Sequence, residues 1–216
     1  MDWHNDEIQR VIALHMQKPI LMLLPSLNRP NQLCDCIASV VKEGTGLADI
    51  LVIGGEGGVI LAFNSVPHEL LLRYQIIGMF GDDVRMKTHA WDALVMSKLS
   101  GKTGLIYGRD GHQDAKLCTH PFITVNILAA VGFIYPSQLH HFSGDNFLME
   151  LLTPLKLIEY VPQLYTEHLH PDAGKSALDN TYRKSREWWD RDQAAWAKYR
   201  TTSLAYDRQK VMDTCL

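Results

Sequence analysis

The chain has no excess of positive charge. Its 21 Lys and Arg stand against 24 Asp and Glu, for a formal net charge of −3, so the basic footprint that nonspecific nucleic-acid binding needs is missing. Cysteine is scarce: Cys34, Cys36, Cys118 and Cys215 show no Cys-x-x-Cys spacing, which argues against a zinc ribbon or a disulfide framework and fits reduced cytosolic thiols. No apolar run approaches the roughly 18 residues of a spanning helix, and no basic, apolar, small-residue succession opens the chain. A cytoplasmic protein without a membrane span is expected. Glycine fingerprints are missing too: neither "PSLNRP" at 25–30 nor "GGEGG" at 54–58 has the spacing of a dinucleotide or phosphate loop.

What is present is an ordinary globular composition, 46% hydrophobic and 21% charged over 216 residues, without internal repeat or linker, and one domain is expected over 1–216. "DEIQRVIALHMQ" has the apolar spacing of a short amphipathic helix. Continuous apolar runs at Ile20–Leu24, 48–55 and 74–80 read as buried strands, and "TGLIYGRD" and "IEYVPQLYTEHLHP" as two more. Between and after them, "NQLCDCIASVVKEG", "THAWDALVMSKLS", "ITVNILAAVG" and "SGDNFLMELLTPLK" have helical rhythm. Strands alternating with helices predict an α/β fold with a mostly parallel sheet flanked by helices. In the tail, Trp189, Trp196, Tyr199 and Tyr206 fall near one face of a helix, suited to packing or to a sugar platform.

In such sheets ligands gather outside the carboxyl ends of the strands. "IIGMFGDDV" (76–84) puts two adjacent carboxylates, Asp82 and Asp83, at such an end. Crowded carboxylates favour a shared proton or a divalent cation, Mg²⁺ or Mn²⁺ when a diphosphate completes the oxygen ligands. Capping of a following helix is the alternative. His168 and His170 stand two apart on a strand candidate, so their rings share a face and one could complete a Mn²⁺ site with Asp83. A solvated strand face is the plainer reading. Asp145, in "SGDNF", falls at a helix start as either an N-cap or a general base. Asn28 and Arg29, in "PSLNRP", offer donors to a base or a phosphate.

The order of these pieces resembles the nucleotide-sugar-binding half of the GT-A glycosyltransferases, family 2-like: "PSLNRP" after the first strand, "AFNS" further on, then "GDDV" followed by "THAWD". "LIYGRDG", the stretch through "SGDNFLMELL" and "YTEHLHPDAGKSALDNTY" are similar to the acceptor-side and C-terminal histidine segments of small bacterial and phage members. The resemblance covers about 18–185 and implies a single GT-A domain: a nucleotide-sugar half at about 18–100, an acceptor half at about 101–185 and a helical aromatic tail at about 186–216.

It further implies a metal-dependent hexosyl- or pentosyltransferase that uses Mn²⁺ or Mg²⁺ and a nucleotide-diphosphate sugar, a UDP-sugar by preference. The acceptor would be a hydroxyl on a saccharide, a protein or a modified DNA base. Pro25, Ser26, Asn28, Arg29, Glu56 and Asn64 would form the bed for the nucleotide, with Asp82 on the ribose or metal and Lys175 on the diphosphate. Asp83, with His168 or His170, would hold the metal, and Asp145 would activate the acceptor. Two features depart from that family: "IGGEGG" stands where many members carry consecutive acids, and "GDD" lacks the first acid of an Asp-x-Asp ending at Asp83. A sugar nucleotidyltransferase or a non-catalytic nucleotide-binding module on the same fold is the alternative.

Overall fold

A computed structural model describes residues 18–55 and 57–216, so the amphipathic stretch near the start and Glu56 lie outside the described residues. The strands are β1 (Ile20–Ser26), β2 (Ala48–Gly54), β3 (Ile76–Met79), β4 (Val84–Met86), β5 (Leu105–Arg109), β6 (Phe122–Thr124) and β7 (Ile158–His168). The helices are α1 (Pro30–Glu43), α2 (Val59–Asn64), α3 (His68–Leu71), α4 (Trp91–Leu99), α5 (Val125–Val131), α6 (Gly144–Leu152), α7 (Asn180–Arg186), α8 (Trp189–Thr202) and α9 (Leu204–Cys215). No described helix is long and apolar enough to cross a membrane.

All seven strands form one sheet in the order β2-β1-β3-β6-β5-β7-β4. β1 is parallel to β2 and β3, and β5 to β7, while β6 runs antiparallel between β3 and β5 and β4 antiparallel to β7. Five strands therefore point one way, and their carboxyl ends share an edge.

The apolar run of β1 is explained by its place inside the sheet, covered on both faces. Leu21 and Leu23 point into one core with Ile77, Ile127, Phe147, Leu151 and Trp196. Ile20, Met22 and Leu24 point into the other, with Val40, Phe80, Trp91 and Val95, as the two-residue period of a strand requires. β2, an equally apolar run, is instead the sheet's edge, and its Val52 is half-exposed.

Tertiary pairing overrides helical rhythm at 122–124: Ile123 and Thr124 bridge the gap between β3 and β5 as β6, and the helix begins only at Val125. β4, after the paired aspartates, had no periodicity to betray it. The tail is two helices broken at Ser203. Trp196 and Tyr199 are buried, whereas Trp189 and Tyr206 are exposed, so the four aromatics do not form one face.

One irregularity sets the position of the site. The pairing of β5 with β7 jumps from Gly108 opposite Val161 to Arg109 opposite Tyr165. Pro162, which cannot donate to a ladder, lies in the bulge, and Gly108 faces it so closely that a Cβ there would lie 1.9 Å from the Leu164 carbonyl oxygen. Beyond the bulge the strands come back into step, and the His168 backbone N–H reaches the Asp110 carbonyl at 2.9 Å.

Candidate functional site

The turn between β3 and β4 carries Asp82 and Asp83, both buried. Neither caps a helix, because a strand follows them. β4 pairs with β7 so that Val84 lies opposite His168, which places Asp83 beside that ring: Asp83 Oδ2 is 3.6 Å from His168 Nε2. Burial alone would raise the Asp83 carboxyl, but His168 and the Tyr182 hydroxyl hold it well below the usual carboxylate range. Tyr182 donates a hydrogen bond to Asp83 Oδ2.

Asp82 faces the end of β1. Ser26 Oγ donates to its Oδ2 at 2.7 Å, and Arg29 Nη1 to its Oδ1 at 2.7 Å. Burial pushes the Asp82 carboxyl up against the pull of these two partners. Arg29 is itself buried, 3.8 Å from Asp83 and 3.1 Å from Asp179, with Tyr182 beneath its guanidinium. Pro25 is buried at the strand end, and Asn28 is exposed with a left-handed backbone, φ 57°.

On the far side of His168 stands Asp110, fully buried, its Oδ2 3.7 Å from His168 Nδ1. Burial disfavours the imidazolium, but Asp110 and Asp83 together push His168 up to about 9. His120 lies edge-on to His168, ring centroids 4.5 Å apart; burial and the His168 charge lower it to about 3. Asp110, His120 and His168 can each offer a ligand atom within 4.8 Å of the others, and His120 Nε2 and His168 Nδ1 are buried without a hydrogen-bond partner among the described residues. The His170 ring is 5.0 Å from His168 and stacks on His112 at 5.0 Å. Its Nδ1 accepts the Asp172 N–H at 3.1 Å, and burial with the His168 charge lowers its pKa. β7 ends at His168, so His170 reaches the group from the turn beyond the strand.

Carboxylate oxygens with imidazole nitrogens suit a divalent cation. The buried orphan nitrogens are what such a group leaves when nothing else satisfies it.

Asp145 occupies the first turn of α6, behind Ser143, and no side chain caps that helix. The N-cap reading therefore fails here. Its carboxylate accepts no hydrogen bond among the described residues, and burial raises it to about 7, with His168 pulling down and Asp110 pushing up. The loop ahead of it is clamped: Asp192, fully buried on α8, accepts the backbone N–H groups of His140, His141 and Phe142 at 3.1, 2.7 and 2.8 Å. Gln193 reaches Ser143 Oγ at 3.2 Å. Asn28, His120 and Ser143 are all non-glycine residues at positive φ (57°, 50° and 68°), and each adjoins this group, where such strain tends to collect.

Two expected binding residues lie otherwise. Asn64 Nδ2 donates to the Tyr135 carbonyl at 2.8 Å and its Oδ1 accepts the Tyr135 N–H at 3.0 Å, so its amide ties a loop. Lys175 is 3.5 Å from Glu167. Asp110, His120, Asp179 and Tyr182 escaped the sequence reading. Asp110 ends a strand, as Asp82 and Asp83 do, and that signal could have found it. His120 and Tyr182 carried none.

No family model matches the chain, and no curated protein matches it. Solved structures do. A mannosyltransferase from Pyrobaculum calidifontis, in complex with GDP-Man and Mn²⁺, aligns with a TM-score of 0.57 and 9% identity over 91% of this chain and 73% of its own. A Drosophila β-1,4-galactosyltransferase 7 mutant, with manganese, UDP-Gal and xylobiose, aligns at 0.51 and 13% identity over 77% and 79%. Glucosyl-3-phosphoglycerate synthase from Mycobacterium tuberculosis, with Mn²⁺ and UDP-Glc, aligns at 0.50 and 16% identity over 86% and 80%. The chain has the GT-A fold these enzymes share.

Proposed function

We propose that this protein is a metal-dependent glycosyltransferase that moves a sugar from a nucleotide-diphosphate sugar, a UDP-sugar by preference, to an acceptor hydroxyl. The observation that supports the reading is Asp145: a carboxylate with no hydrogen-bond partner among the described residues, raised by burial to about 7 and close enough to His168 and Asp110 to feel their charges. A general base works best when its pKa lies near the operating pH.

Asp83, His168 and His170 are the residues that would hold Mn²⁺ or Mg²⁺, whose charge neutralises the departing diphosphate. Ser26, Asn28, Arg29 and Asp82, at the end of β1 and the β3–β4 turn, orient the nucleotide, and Lys175 exchanges its Glu167 partner for the diphosphate. Asp145 takes the proton of the acceptor hydroxyl as its oxygen bonds the anomeric carbon, and the bond from that carbon to the diphosphate breaks. The donor bed draws on residues of the first half, about 18–100, and the base on the second, about 101–185, within one domain. The acceptor class is a saccharide, a protein or a modified DNA base.

Calorimetry with UDP in the presence of Mn²⁺ and in EDTA tests the donor side. Binding with Mn²⁺ and a loss of at least tenfold in EDTA is expected, and equal affinity in both would remove the metal from the reading. Release of pyrophosphate from UTP and a sugar 1-phosphate would instead favour a nucleotidyltransferase.

A further inference from the structure

His168 has two ring nitrogens and two carboxylates, one at each: Asp83 Oδ2 3.6 Å from Nε2 and Asp110 Oδ2 3.7 Å from Nδ1. The two carboxylates are held very differently. Asp110 is fully buried and pinned: Oδ1 accepts the backbone N–H groups of His112, Gln113 and Asp114 at 2.8, 2.7 and 2.8 Å, and Oδ2 accepts the Thr119 hydroxyl at 2.9 Å. The Asp83 side borders Ser26 and Arg29 through Asp82, the loop where a nucleotide would lie. A cation that must reach a diphosphate belongs on that side.

We propose that Asp110 is a positioning residue: its fixed carboxylate faces His168 Nδ1 at 3.7 Å, so its charge favours the proton on that nitrogen and leaves Nε2, on the Asp83 side, to a divalent cation. A carboxylate behind a metal-binding imidazole fixes its tautomer and ring orientation and increases its basicity. On this arrangement His120, edge-on to His168, is not a ligand, and Asp110, His120 and His168 form the competing cation site. The inference rests on the metal-dependent reading above.

The test uses Zn²⁺, a diamagnetic stand-in, and Mn²⁺ as probes of the full chain. Long-range nitrogen–proton spectra of ¹⁵N-histidine protein loaded with Zn²⁺ should show His168 with a protonated Nδ1 and a metal-bound Nε2. Asp110→Asn should weaken Mn²⁺ binding by about 10–100-fold. His120→Gln and Thr119→Val, the second removing a hydroxyl from the same oxygen without touching its charge, should leave it within about twofold. An Nδ1-bound ion, or a His120→Gln loss as large as that of Asp110→Asn, would put the cation among Asp110, His120 and His168 and overturn the proposal. Should Asp110→Asn fold poorly, the wild-type spectrum decides alone. Wild-type protein that binds neither ion defeats the metal-dependent reading and this one together; wild-type binding with unchanged affinity in a folded Asp110→Asn defeats this one only.

Discussion

Asp145→Asn should make the protein more stable at alkaline pH while disabling it. In the folded chain the carboxyl sits at about 7 against an ordinary 3.8, so the folded state binds the proton more tightly than the unfolded one. Between those two values stability falls as pH rises, and above about 7 the whole deficit is present. The difference of about 3 units corresponds to a ceiling of about 4 kcal/mol, at about 1.36 kcal/mol per unit. Asp145 is only partly buried, and solvent and relaxation cut this to about 1–2 kcal/mol. Asparagine is neutral at every pH and escapes the deficit. For a chain of this size, at about 2–4 °C per kcal/mol, melting in EDTA should show the variant about 2–8 °C above wild type at pH 8, with the gap closing by pH 4. Transfer should fall by about 10²-fold or more, since an amide takes no proton. A melting gap that is absent, or constant from pH 4 to 8, would mean that the carboxyl is not raised by burial. A stable variant that transfers normally would mean that another group is the base or that the reaction retains configuration.

His168→Ala and His170→Ala should each weaken Mn²⁺ binding measured by calorimetry, His168 more, because it alone lies within 4 Å of Asp83; unchanged affinity in both would make the pair structural. Asn64→Ala should leave UDP affinity untouched and cost about 1–3 kcal/mol in urea unfolding, because it strands the Tyr135 N–H and carbonyl that its amide now satisfies. A loss of UDP binding without a loss of stability would return Asn64 to the nucleotide bed.

Elements with long apolar runs are legible in the sequence, because a strand covered on both faces must be apolar at every position: β1 and β3 announce themselves in "ILMLL" and "QIIGMF". Those defined by partners are not. β4 is three residues, and β6 borrows the start of a helical rhythm; both exist because a neighbouring strand offers a ladder. β2 looks central in sequence and lies at the edge, since apolarity does not tell which strand has a second neighbour. Of the site, the carboxylates at the β3 end and the His168 pair stood out through strand-end position and spacing. Asp110 could have been caught by the same rule, but His120, Asp179 and Tyr182 are brought in by loops whose paths nothing local encodes.

The loop path also explains how an acid ends up bare. Asp145 would ordinarily be drawn to the free N–H groups at the start of α6, as acids in a first turn are. Instead, Ser143 takes the left-handed conformation ahead of it, and the preceding backbone is spent on Asp192, whose carboxylate absorbs three consecutive N–H groups. Asp192 is anchored on α8, and α8 is anchored by Trp196 and Tyr199 in the core behind α6. The aromatic tail thus acts at a distance: burying two of its rings fixes the helix that fixes the loop. That loop leaves the Asp145 carboxylate without a hydrogen-bond partner among the described residues, the condition under which burial lifts its pKa toward neutrality, as the proposed role of base requires.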